Sequence, residues 1–289
     1  MEDAILRRFE AMADLPAPAG AEGPLRDWLR HMLEGMGARV AIDPVGNLLA
    51  RKGDGGHLVL LGLDEPTFIA TGGGPGGFGA AAAGTPLAPQ ALHGRLVRVG
   101  ERKAILRASK DDLTLDPLSE PLEPGAAAVF AAPRRVEGGS LLGPDAGRRA
   151  LWACALEAAA SLADVTVVGL SRAGFSPQGG ASLLAAERRP RGVALEVLDE
   201  DDGMEIGCGP LLVAEGYSVP PFVDALRRDG AALTVRSDAR PLAARLQPAG
   251  IEGIGLGLAA RYRGGDQERI AYQDAKAAGL LLREALASS

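Results

Sequence analysis

The sequence predicts an α/β fold interrupted by a small β unit, and three observations carry that reading. Residues 57–63 (His-Leu-Val-Leu-Leu-Gly-Leu) and 164–170 (Asp-Val-Thr-Val-Val-Gly-Leu) are nearly continuous apolar runs, the pattern of strands buried on both faces of a parallel sheet. Segments with apolar residues at helical spacing flank these runs. Between the two runs the composition shifts: residues 72–89 are mostly Gly, Ala and Pro, and short alternating segments follow. The expected organisation is a discontinuous α/β domain over 1–66 and 138–289, with an inserted β domain over 67–137.

Ile5, Phe9 and Met12 fall at i, i+4 and i+7, so residues 2–13 are expected to be helical; the Pro16/Pro18/Gly20 stretch ends the helix. Leu25, Trp28, Leu29, Met32 and Leu33 mark a second helix that closes at Gly35 or Gly37. Arg39–Ile42 and Leu48–Arg51 flank a Pro44/Gly46/Asn47 turn and form a hairpin. The Gly-rich residues 72–79 have no Gly-Lys-Ser/Thr that could hold a phosphate, so 72–89 is expected to be a flexible passage into the insert. The insert's strands are expected at Arg95–Val99, Ala104–Ala108 and Ala127–Phe130. Beyond Gly138 the alternation resumes: helix 145–162, strand 164–170, helix 177–187, strand 192–198, helix 219–229, strand 231–236, helix 239–247, strand 253–258 and helix 271–287.

With 289 residues, 47% hydrophobic content and a net charge of -6, the chain can bury a large core and carries no basic stripe for nucleic acid. Charged residues among the first thirteen argue against a secretory leader, and no apolar run reaches the ~18 residues that span a bilayer. Cys154 and Cys208 stand far apart, outside any metal or redox spacing, which fits a reduced cytoplasm.

Four stretches resemble, in order and with similar gaps, the M42 family of metallo-aminopeptidases, the tetrahedral aminopeptidases. Pro18-Ala19-Gly20-Ala21-Glu22 is similar to the family's P-S-G-x-E loop. Residues 43–53 (Asp-Pro-Val-Gly-Asn-Leu-Leu-Ala-Arg-Lys-Gly) are similar to its D-x-x-G-N-L-I-A-x-K-G hairpin. Leu63-Asp64-Glu65 stands where the family has H-M-D-E, and residues 93–99 resemble the first strand of its inserted β-barrel. Ser237-Asp238-Ala239 and Arg261-Tyr262 are weaker likenesses. The resemblance implies a zinc-peptidase-like α/β sandwich with an inserted small β-barrel, two zinc or cobalt ions, a glutamate base and aminopeptidase activity.

The same resemblance implies that the metal ligands have been replaced. The family's first histidine falls at Gly62, its bridging aspartate at Gly143, its base and metal glutamates at Ser171 and Arg172, its next aspartate at Glu196 and its last histidine at Gly264. Only Glu196 keeps a ligand's chemistry, and Asp64 survives as an orienting group. A two-metal hydrolase needs a bridging carboxylate, terminal ligands and a base. The three histidines, His31, His57 and His93, cannot fill that role: at ~3.3 Å per residue His57 lies roughly 16 Å from Gly62 along its strand. Arg172 is expected to neutralise Glu196 or Glu65 in place of a cation.

Other chemistries have weaker support. Gly169-Leu170-Ser171-Arg172-Ala173 lacks the second glycine of a nucleophile elbow, and no histidine follows it. Cys154 reads as packed on its helix and Cys208 as a loop or strand residue; a thiol nucleophile is the lesser reading of either. The acidic residues 199–202 have the oxygens for a hard cation but read first as a solvated turn. The expectation is therefore an inactive aminopeptidase homologue acting as a binding, structural or regulatory subunit without a cofactor. Its cleft would comprise Asp64, Glu65, Ser171, Arg172, Glu196, Asp238, Arg261 and Tyr262, with no catalytic or metal-binding residue. Its partners would be copies of itself, an active paralogue or a peptide. The alternatives are an aminopeptidase with a rearranged single-metal site on Glu196 and Asp64, and a small-molecule binder on the same scaffold.

Overall fold

The computed structural model describes residues 3–74, 77–84, 87–110, 112–173, 181–187, 191–200, 204–215, 232–236 and 242–287. Helix α1 (Ala4–Ala11) starts where the Asp3 carboxylate accepts from the Ile5 amide at 3.1 Å, and α2 (Gly23–Gly35) takes Pro24 into its first turn. Strands β1 (Arg39–Ile42) and β2 (Leu48–Lys52) form the expected hairpin. Its turn is tied by Asp43 Oδ1, which accepts from the amides of Val45, Gly46 and Asn47, each at 2.9 Å. In β3 (His57–Gly62), Val59 and Leu61 enter one core while Leu58 and Leu60 enter another, as a strand between two helical layers must.

Beyond β3 the chain enters a closed six-stranded barrel of β4 (Thr67–Gly74), β5 (Gly77–Ala83), β6 (Leu96–Val99), β7 (Arg102–Ala108), β8 (Leu113–Pro117) and β9 (Ala127–Phe130). A short helix, α3 (Pro89–Leu92), lies between β5 and β6. The barrel has its own core, with Phe68 and Phe130 packed edge to face at 5.1 Å. This corrects the expectation of a flexible passage at 72–89, because β4 and β5 pair there as an antiparallel hairpin. The glycines serve close approach instead: a β-carbon at Gly73 would meet the Phe78 ring at 2.8 Å, and one at Gly79 would meet Thr71 Oγ1 at 2.7 Å.

The chain returns through the hairpin β10 (Arg135–Glu137) and β11 (Ser140–Leu142), then helix α4 (Ala146–Ser161), β12 (Val165–Leu170), α5 (Ala181–Glu187), β13 (Arg191–Asp199), β14 (Leu211–Glu215), β15 (Ala232–Arg236), β16 (Glu252–Ala260), β17 (Arg269–Ala271) and α6 (Tyr272–Ala287). The main sheet has the order β1-β2-β12-β3-β13-β16-β14-β15, and β12, β3, β13 and β16 are mutually parallel at its centre. Helices α1, α2, α4 and α6 cover one face, while Leu184 of α5 and the turns around Leu246 cover the other. The expected helix 239–247 is corrected to two 3-10 turns, Leu242–Arg245 and Gln247–Ala249, since Pro248 has no N–H to continue a helix. The expected helix 219–229 lies outside the described residues, as do 177–180 of the expected helix 177–187. Among the described residues no helix is long and apolar enough to cross a membrane.

Candidate functional site

Strands β3, β12 and β13 run parallel, so their carboxyl ends open on one edge of the sheet, the usual place for a site in such folds. A cavity of about 180 Å³ lies there, walled by Gly62, by Glu196 on β13, by the root of the barrel at Pro66 and Gly84, and by the loop from Arg263 to Glu268. Arg148, Arg245 and Arg263 line it, as do Asp145, Glu196 and Glu268, three groups of each sign.

Arg148 links the wall to the sheet. Its Nη1 donates to the Asp64 main-chain oxygen and, at 3.2 Å, to Asp64 Oδ1, while its Nε lies 3.2 Å from Asp145 Oδ1. Asp64 also accepts from the Ala173 amide at 2.8 Å. A β-carbon built at Gly62 would stand 2.8 Å from Arg148 Nη1 and 2.9 Å from the Ala173 β-carbon. The guanidinium thus occupies the space into which a side chain from position 62 would extend.

Behind Arg148 lies a buried charge network. Arg134 donates to Glu65 and to the main-chain oxygens of Ala13 and Pro144, and Glu65 also accepts from the Ala17 amide at 2.7 Å. Burial would raise the Glu65 pKa, but Arg134 and then Arg149 outweigh it and hold the carboxyl below its ordinary value. Arg149 is 0% exposed, 3.7 Å from Asp145 Oδ2 and 3.9 Å from Glu65 Oε2. Burial, then the neighbouring Arg134, lowers its pKa to about 10. Asp145 sits in left-handed backbone (φ 57°) ahead of α4 without capping the helix. Burial pushes its pKa up to about 7, against the pull of Arg148 and Arg149.

The other two cavity carboxyls rest on main-chain donors. Glu268 accepts from the amides of Gly147 and Gly264, each at 2.8 Å, and Glu196 accepts from Ala243 at 3.0 Å. Burial raises both above their ordinary range. Arg245 donates to the Ala173 main-chain oxygen at 2.9 Å, and Arg263 to Asp199 at 3.0 Å.

Of the residues singled out from sequence, Glu196 lines the cavity and Asp64 adjoins it through Arg148. Glu65 is buried behind it, 1% exposed, against Arg134. Ser171 is likewise buried, its hydroxyl donating to Glu22 at 3.0 Å and its amide to Asn47 at 2.9 Å. Arg172 corrects the expectation placed on it: its side chain is exposed and lies against Gly20, and its amide donates to Glu22 at 2.9 Å. Arg134 pairs with Glu65 in its stead, and Arg148 pairs with Asp64; Glu196, the other partner expected for Arg172, accepts from the Ala243 amide. Arg261 pairs with Glu200 at 2.8 Å, and Tyr262, 66% exposed, borders a separate pocket against Leu87 and Phe130. Asp238 lies outside the described residues, as do Asp201 and Asp202 of the acidic turn. Sequence reasoning missed Arg134, Arg148, Arg149, Arg245, Arg263 and Glu268; the one signal available was a pair of arginines opening an Ala-rich helix directly after Asp145.

Among the described residues, two of the positions that the resemblance assigns to metal ligands, Gly143 and Gly264, carry no side-chain donor. A β-carbon at Gly143 would meet the Arg134 α-carbon at 2.7 Å and the Pro133 oxygen at 2.8 Å, so this backbone excludes an aspartate there. Gly264 has no side chain to serve as a ligand, and its amide donates to Glu268 at 2.8 Å. Among the described residues no three His, Cys, Asp or Glu side chains form a group able to hold a metal ion.

No family model matches this chain, and no curated protein sequence does. Its fold is that of known aminopeptidases. It is similar to an aminopeptidase from the archaeon Desulfurococcus kamchatkensis, with 17% identity over 99% of this chain and 95% of that one, at a TM-score of 0.87. A TET peptidase of Pyrococcus horikoshii, one that can assemble into a tetrahedron or a large octahedral shell, matches with 16% identity over 98% of this chain and 99% of that one, at a TM-score of 0.84. A Thermotoga maritima structure described as an endoglucanase matches with 17% identity over 96% of each chain, at a TM-score of 0.76.

Proposed function

We propose that this chain is an M42-type aminopeptidase homologue that carries out no metal-dependent hydrolysis and works as a binding or structural subunit. One observation carries the reading: the Arg148 guanidinium fills the place beside Asp64 and Asp145 where a cation would otherwise balance their charge. A fixed guanidinium repels a divalent ion at short range and forms directed hydrogen bonds in its stead. The likeness to a peptidase that assembles into shells supports self-association, or association with an active paralogue, as the structural half of the role. The test is direct. Protein incubated with Zn²⁺ or Co²⁺ and then desalted is expected to retain far less than one ion per chain, and to leave aminoacyl anilides uncleaved. Stoichiometric metal together with chelator-sensitive hydrolysis would overturn the reading.

A further inference from the structure

The loop closed by the paired backbones of Arg261 and Arg269 serves two cavities. Arg263, Gly264 and Glu268 line the charged one, while Tyr262, Gly265 and Asp266 line a second of about 290 Å³ at the seam with the barrel unit. The barrel side of this second cavity is apolar, made by Leu87, Leu92 and the buried Phe130 ring. A β-carbon at Gly265 would meet Leu87 Cδ1 at 3.3 Å, so the glycine lets the two sides close on each other. Tyr262 is the outlier. It is 66% exposed and has a φ of 57°, a left-handed backbone that a bulky residue adopts only under strain. Its carbonyl accepts from the Gly265 amide at 3.0 Å, which holds the turn in place. Strain of this kind persists where the surroundings enforce it, and it concentrates at ligand clamps.

The lining selects the ligand. Among the described residues Arg95 and Asp266 are the charged groups on the wall, and they neutralise each other, with Arg95 Nη1 3.0 Å from Asp266 Oδ1 and 3.2 Å from Oδ2. Charge complementarity therefore asks for a neutral molecule, since a buried ion of either sign would find no free counter-charge. An apolar cavity of about 150 Å³ holds benzene, so this one has room for one ring or two fused rings. The Tyr262 and Phe130 rings favour an aromatic guest over an aliphatic one of equal size. We propose that the seam pocket is a second ligand site, for a neutral aromatic molecule of the size of phenol or indole. It is separate from the charged cavity and does not rest on the metal-free reading.

The experiment is calorimetric titration of the full chain with phenol and indole, joined to hydrogen exchange that locates the site. Both probes are expected to saturate with a Kd of about 0.1–1 mM, the scale for ligands of so few atoms. Bound probe should slow exchange at residues 87–95 and 262–267. Cyclohexanol should bind about two- to tenfold more weakly than phenol, the share of the ring contacts. Benzoate and benzylammonium should each bind about tenfold or more weakly. Tyr262→Gly removes the ring and frees the strained backbone, so affinity should fall about tenfold while the melting temperature holds or rises. Ala91→Phe, at an exposed position on the pocket wall, should block binding by filling the space. Any of the three control molecules binding as well as phenol overturns the proposal, as does wild-type affinity in either variant. Absence of saturable binding, or protection confined to other residues, overturns it equally and leaves the metal-free reading untouched.

Discussion

At position 62 the absence of a side chain and the presence of Arg148 are one feature seen from two sides. A β-carbon there would stand 2.8 Å from the guanidinium, inside contact distance. Gly62→His should therefore lower stability by about 1–3 kcal/mol through overpacking. In Arg148→Ala the same substitution should cost much less, a coupling that urea denaturation of the four proteins in the cycle would measure. Additive effects would show that the two residues do not share the space. Asp145 yields a prediction in pH. Its folded pKa, about 7, lies above the unfolded value near 3.8, so between those values the native state holds the extra proton. Its contribution therefore makes stability fall as pH rises from about 4 to 7, the reverse of an ordinary paired carboxylate. Glu65, held below its ordinary value, acts in the opposite sense at lower pH. Glu196 and Glu268, also raised by burial, act in the same sense as Asp145, so Asp145→Asn should reduce the downward slope between pH 4 and 7 without abolishing it, and an unchanged profile would show that Asp145 is ionised throughout that range.

Helix α4 explains how such a site is tolerated. Two arginines in its first turn oppose the helix dipole, which favours negative charge at the amino end. Asp64, Asp145 and Glu65 offset them, while Glu268 accepts from the Gly147 amide as a cap supplied from a distant loop. The rest of the helix is Ala-rich and buried, which lets it pack closely against α1, α6 and the sheet, with the Trp152 indole donating to the Gly62 oxygen at 2.9 Å. The barrel has a separate core. Phe68→Ala, which removes half of its one edge-to-face ring pair, should destabilise the protein by about 3–5 kcal/mol. Hydrogen exchange should quicken first in the amides of Thr67–Phe130, ahead of those in α4. Equal acceleration in both would mean that the barrel and the α/β core unfold as one unit.

At the scale of the molecule, the metal-free reading proposed above means that the layered sheet holds its cavity without an ion to close it. The melting temperature should therefore be the same in chelator and in excess zinc, since a ligand raises stability only by binding the native state. A zinc-dependent rise seen in a thermal scan would reveal a metal site. The outline of the fold was legible in the chain because burial on two faces leaves continuous apolar runs at β3 and β12, and helical spacing marks α1 and α2. The strands β4 and β5 were not legible: a Gly/Ala-rich composition carries no alternation, and only a neighbour such as Phe78, which needs the empty space above Gly73, shows why these residues are strands. Asn47 and Glu22, noticed for their motifs, turn out to bind the backbone of the Ser171–Arg172 loop.

By itself the sequence determined the buried parallel strands β3 and β12, the helices α1 and α2 and the hairpin at residues 43–47. These follow from local pattern and from residue identity, which no folding can alter. Only the tertiary structure decided which arginine stands in the cleft. Arg172 and Arg148 are equally charged in the sequence; backbone direction after β12 carries the first outward over Gly20, and the first turn of α4 carries the second beneath Gly62. Electrostatic pairing depends on distances of a few ångströms between residues far apart in the chain, and those distances exist only once the sheet has assembled.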